Sequence, residues 1–189
     1  MESDERWDVV ADLYARAGVR VYLRRLSTPS GTVYSPGAVA LGHDYPDEPY
    51  LGLHELAHWL IARDGDRERR NFGLGDFALS GEYKLVKRRE DRSYTQAQFE
   101  EDLASMMNVH LAQIVSVSVG DDSYEGAERV ARSLSVDDYY NRGACHHLTR
   151  WCWHARRDHQ RALRERGLYP LPRSIRALYR LIERERHGQ

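Results

Sequence analysis

The stretch Leu53-His54-Glu55-Leu56-Ala57-His58-Trp59-Leu60-Ile61-Ala62 decides how this chain is read. Its apolar residues recur at helical spacing, and the spacing predicts a helix from Glu48 to Arg63. Residues four apart on a helix lie on one face, one turn above the other. His54 and His58 can therefore offer both imidazoles to a single ion. Glu55 lies one step round, within reach of a water bound to that ion. Leu53, Leu56, Ala57, Leu60 and Ile61 surround the triplet, so the helix is expected to be largely buried and its polar groups to need partners. The competing reading, two surface histidines on an amphipathic helix, fits that apolar surround poorly.

Two histidines need a third protein ligand if positions are to stay open for water or substrate. The best source is Phe99-Glu100-Glu101-Asp102-Leu103-Ala104, at the start of a helix expected at 95–117. Periodicity places Glu100 on the stripe of Leu103, Ala104, Met107 and Leu111. Glu101 falls with Ala104, Asn108, Leu111 and Val115. Pattern alone does not separate the two, and either is also an ordinary first-turn glutamate that favours the helix dipole. Nor does the ligand set choose the metal. Two His and one Glu build a catalytic zinc site, with Glu55 as base for amide hydrolysis. The same ligand types build the facial triad of Fe(II) oxygenases.

Outward from the motif, the chain reads as one helix-rich α+β domain over residues 1–189. Trp7, Val10, Ala11, Tyr14 and Ala17 predict a helix over 4–17, with Gly18 as its stop. Val19 to Leu26 and Thr32 to Tyr34 read as strands around Ser27-Thr28-Pro29-Ser30-Gly31, and Ala38 to Leu41 as a third. This small N-terminal sheet is expected to pack on the motif helix. A long connection carrying Gly65, Gly73, Gly75 and Gly81 follows that helix, as an active-site loop or a locally ordered cover. Further helices are expected at 123–134, 137–166 and 173–186. Net charge is -1, signs are interspersed, and lysine occurs only at Lys84 and Lys87, so no nucleic-acid arm is indicated. The apolar runs are too short for a membrane span, and Met1-Glu2-Ser3-Asp4-Glu5 is unlike a signal peptide. Cys145 and Cys152 are the only cysteines, too few for a disulfide framework. A cytoplasmic protein is the default expectation.

The wider pattern resembles the elongation factor P hydroxylase family. The resemblance is carried by His54-Glu55-Leu56-Ala57-His58-Trp59, Ile61-Ala62, Arg69-Arg70-Asn71-Phe72-Gly73 and Thr95-Gln96-Ala97-Gln98-Phe99-Glu100. That family has an H-E-x-x-H-W-x-I-A segment, an arginine pair, D-F-G-Y-W-Y, and Q-F-E before its carboxylate helix. Fainter similarity involves Tyr34 and Pro36, His43 and Tyr45, and Pro172, Ile175, Ala177 and Leu178. The resemblance implies a zincin-like fold housing Fe(II) and O2-dependent hydroxylation of a modified lysine, on elongation factor P or a similar protein. It also implies Glu101 as the carboxylate ligand. Small H-E-x-x-H peptidases with a downstream E-x-x-A imply the same residue, through Glu101 and Ala104. The family's D-F-G-Y-W-Y stands here as Asn71-Phe72-Gly73-Leu74-Gly75-Asp76-Phe77, losing two aromatics and the acid, and extra residues follow around 82–92. Those positions are expected at the substrate entrance, so the substrate, protein or small molecule, can differ while the metal chemistry does not.

Several other residues are candidates. His43, eleven residues before the motif, is a pocket residue or a surface residue at a strand end. Arg69 and Arg70 form either a fork for a substrate carboxylate or a solvated helix end, and Phe72 after them is expected to contact substrate at the entrance. Cys145-His146-His147 with Cys152 and His154 looks like a second metal site. Members seven apart on a helix are about 10 Å apart, however, too far to grip one ion. His146 or His147 singly could support the first site or bind substrate. His110 reads as a packed polar residue. Three functions compete: an Fe(II) hydroxylase, a small zinc peptidase, and a non-catalytic binding module, the last disfavoured by the intact His54, Glu55 and His58.

Overall fold

The computed structural model describes residues 5–24, 32–42, 49–63, 65–73, 94–120 and 160–188. These residues form a helix-rich α+β arrangement with one three-stranded sheet. Helices α1 (Glu5–Ala17), α2 (Pro49–Ile61), α3 (Tyr94–Ser118) and α4 (Ile175–His187) accompany strands β1 (Arg20–Arg24), β2 (Thr32–Ser35) and β3 (Ala38–Gly42). Residues 160–165 are also helical. The helix expected at 123–134 and most of that at 137–166 lie outside the described residues.

Helix α1 carries Glu5 and Asp8 in its first turn and Arg16 in its last, which complements its dipole. Its buried stripe is Val10, Leu13, Tyr14 and Ala17. Periodicity places Ala11 in that stripe; Ala11 is exposed and the larger Leu13 takes the buried place. Gly18, at φ 72, ends the helix. Its N–H and that of Val19 donate back to the Ala15 and Tyr14 carbonyls, satisfying two otherwise orphan acceptors.

The strand positions follow the sequence, but their order does not. β1 and β2, which flank the Ser27–Gly31 segment in sequence, are not neighbours. β3 lies between them, parallel to β1 and antiparallel to β2. Composition explains the placement. Ala38, Val39 and Ala40 are consecutively buried, as suits a strand covered on both faces. Arg20 and Tyr22 of β1 are exposed, as suits an edge. Pro36 and Gly37 join β2 to β3, with Gly37 at φ 74 in the left-handed position that such a turn requires.

Helix α2 opens on Pro49, whose missing N–H costs nothing at a first helical position. Leu53, Leu56, Ala57, Leu60 and Ile61 are each no more than 2% exposed, so α2 is enclosed on almost every side. It packs chiefly on α3 and also touches α1, β2 and β3. Near its start the Tyr14 hydroxyl donates to the Gly52 carbonyl. At its end Arg67 caps it: Nε donates to the Trp59 carbonyl at 2.9 Å, and the guanidinium lies over the Trp59 ring. The same guanidinium donates to the Glu185 carbonyl and pairs with its carboxylate at 3.2 Å, tying α2 to the end of α4. Helix α4 begins at Ser174, whose side chain accepts from the Ala177 N–H, and it lays Leu178, Leu181 and Ile182 into the core. Among the described residues no helix is long and apolar enough to cross a membrane.

Burial, and next the Glu55 carboxylate, push the Tyr14 phenol well above the ordinary tyrosine value of 10.0. The unfolded chain releases this proton near pH 10.0 while the fold retains it, so its contribution to stability is complete below that pH and is lost as pH rises above it. Tyr14→Phe should cost about 1 kcal/mol at neutral pH through the lost bond to Gly52. It should also flatten the alkaline fall in stability. Urea unfolding at about pH 7 and about pH 11 checks both effects.

Candidate metal centre

The centre is built on one turn of α2. His54 and His58 point their Nε2 atoms at each other, 3.1 Å apart, with the two rings nearly perpendicular at 85°. His58 is 5% exposed and Glu55, between them in sequence, 9%. Two neutral imidazoles at this distance share an N–H···N hydrogen bond. The same separation is that of two nitrogens about 2.0–2.1 Å from one ion, subtending about 95–100°. That angle falls between the right angle of octahedral and the wider angle of tetrahedral coordination. The histidine pair thus fits a transition ion without choosing between iron and zinc. Among the described residues no group of three His, Cys, Asp or Glu that could hold an ion forms.

The two candidate carboxylates stand differently. The backbone of Glu101 lies in α3, and its side chain is outside the described residues. Glu100 is buried, as its stripe with Leu103, Ala104, Met107 and Leu111 predicts. Its Oε1 accepts from Arg166 Nη2 at 2.6 Å, and both side chains are at most 10% exposed. A carboxylate on an apolar helix face here has a cation as partner. Arg166 carries no signal in the sequence, where it is one arginine among many. Among the described residues its Nε and Nη1, and Oδ1 of the buried Asn108, lack a hydrogen-bond partner.

Phe72, expected toward the entrance, is 3% exposed. Its ring stacks on Tyr34, with centroids 3.9 Å apart and planes 18° apart, and on His58, at 5.5 Å and 20°. The turn that carries it, Arg70–Gly73, has Asn71 at φ 45 and Phe72 at φ 54. Asparagine tolerates that left-handed region; for phenylalanine it costs about 1–2 kcal/mol. Arg69 and Arg70 are exposed on the approach to this turn. His43, His146 and the Cys145–His154 cluster lie outside the described residues. His110 Nε2 donates to the Pro172 carbonyl at 2.6 Å, holding α3 to the segment before α4, in line with a packed polar role.

No protein-family model, curated protein or solved structure matches the chain. The residues themselves, with the pattern of the motif and its flanks, are the ground for assigning a function.

Breaking the buried pair should be costly, since it strands a charge in the interior. Arg166→Met should destabilise the fold by about 3–5 kcal/mol, and adding Glu100→Gln should recover a large part of that loss. A double-mutant cycle by urea unfolding measures the coupling; additive single effects would contradict the pair.

Proposed function

We propose that this chain is a metal-dependent enzyme with its ion on His54 and His58, and that its reaction is Fe(II)- and O2-dependent hydroxylation of a protein side chain. The observation that carries the metal reading is the convergence of two Nε2 atoms, 3.1 Å apart, within a buried apolar helix. The choice of iron and of hydroxylation rests on the flanks: Trp59, Arg69, Arg70 and Phe72, with Gln98-Phe99-Glu100, resemble the elongation factor P hydroxylase family. On that reading the fold is zincin-like, Glu101 is the carboxylate ligand, and the enzyme works in the cytoplasm. Its substrate is then a modified lysine on elongation factor P or a similar protein.

Iron(II) bound there supplies the activation of dioxygen that an unactivated C–H bond requires. The chain's own residues do the rest. The buried Glu55 carboxylate holds or moves a proton beside the histidines. Arg69 and Arg70, exposed ahead of Phe72, offer planar forks to a substrate carboxylate. Glu55 also favours a second reading. Hydrolysis on zinc uses this glutamate as general base, whereas an iron site takes its carboxylate ligand from elsewhere.

Elemental analysis of protein purified without oxygen, followed by oxygen uptake on adding Fe(II), tests the proposal. One iron per chain with iron-dependent uptake is the expected result. Tightly held zinc with cleavage of a protein substrate, and no iron-dependent uptake, would replace it with the peptidase. His58→Ala should abolish metal binding in either case. Glu101→Gln should weaken it by more than about tenfold, and Glu100→Gln should weaken it less. The reverse order would make Glu100 the ligand.

A further inference from the structure

The least expected feature of the site is a phenylalanine held in a left-handed turn against a candidate ligand. We propose that Phe72 is a positioning residue that fixes the His58 imidazole in the orientation facing His54. This inference rests on the metal reading above and deepens it.

Four observations carry it. First, Asn71 and Phe72 adopt consecutive left-handed conformations at φ 45 and φ 54, a geometry that glycine accepts freely and a bulky residue does not. Such strain persists only where the surroundings over-determine it, and it clusters at functional sites. Second, the surroundings do so here. Asn71 Oδ1 accepts from the Tyr34 N–H at 3.0 Å, and the Phe72 N–H donates to the Arg69 carbonyl at 3.1 Å. The Tyr34 hydroxyl donates to the Arg67 carbonyl at 2.7 Å, closing the turn onto β2. Third, the Phe72 ring lies nearly parallel to Tyr34 at 3.9 Å and to His58 at 5.5 Å, each plane within 20° of its own. Fourth, the Nε2 atom opposite His54 belongs to the ring that Phe72 covers.

The chemistry of histidine explains why a brace is needed. Its χ2 torsion is broad and roughly two-fold, so a helix backbone fixes where the ring starts but not where Nε2 points. A flat ring laid parallel to the imidazole removes that freedom. Tyr34, Phe72 and His58 thus form a stack from the sheet to the metal helix, anchored at its far end by β2. Other buried contacts of α2 fix the helix itself; the stack acts on the ligand ring. A leucine at 72 would preserve most of the buried apolar area and lose the parallel face.

The test compares Zn(II) affinity, read by competition with a chromophoric chelator, with thermal stability for the same set of variants. Phe72→Leu should lose about tenfold or more in affinity, as loss of a group supporting a ligand typically does. Phe72→Tyr, which keeps the ring, should restore it. Leu178→Val, in α4 and away from the site, is the control: it lowers stability and should leave affinity unchanged. Asn71→Gly removes the anchor on Tyr34 without removing a core side chain, and should lower affinity while the protein stays folded. If Phe72→Leu does not fold, Asn71→Gly decides. Wild-type affinity in folded Phe72→Leu, or in Asn71→Gly where Phe72→Leu does not fold, overturns the role of Phe72 and leaves the metal reading intact. If wild type binds no zinc, or no more tightly than His58→Ala, the metal reading fails and takes this role with it.

Discussion

The 3.1 Å approach of the His54 and His58 Nε2 atoms is the constraint around which the described structure is organised. Two imidazoles and a carboxylate occupy one turn of a helix that is otherwise closed in by leucine, alanine and isoleucine. Burying such groups is unfavourable unless they meet partners of their own kind. Their spacing turns an energetic liability into a pair of nitrogen donors aimed at one point.

The scaffold holds that turn from several directions, each by different physics. Near its start, α1 reaches it through the Tyr14 hydroxyl on the Gly52 carbonyl. At its end, Arg67 binds the Trp59 carbonyl, covers the Trp59 ring and pairs with Glu185 of α4. From the sheet, Tyr34 and Phe72 bring an aromatic face to His58. Along its length it lies on α3. There Arg166 pairs with Glu100 inside the protein. Glu101 follows Glu100 by about 100° of helix. An ion pair of this kind adds little net stability, and its removal is costly.

How much of this was legible in the sequence divides along a physical line. Features set by local periodicity were readable: α1, α2 and α3 fall within a residue or two of their expected positions, and the histidine pair follows from four-residue spacing alone. The burial of Glu100 was readable for the same reason. Features set by meetings between distant residues were not. Nothing local says that β3 enters between β1 and β2, although its apolar run suits the middle of a sheet once the order is known. Arg166 is indistinguishable from its many neighbouring arginines until the fold brings it to Glu100. Phe72 is hardest of all, because phenylalanine disfavours the left-handed backbone it adopts, and the sequence pattern therefore points away from its position under His58. The choice between Glu100 and Glu101 as ligand stayed open to periodicity and was tipped toward Glu101 only by resemblance to a known family.

Metal K-edge X-ray absorption of the loaded protein reaches the central claim most directly. Two imidazole scatterers at about 2.0–2.2 Å, with further light-atom ligands, are expected for wild type, and one imidazole or none for His58→Ala. A wild-type spectrum without imidazole scattering, or one that His58→Ala leaves unchanged, would contradict a metal centre on α2.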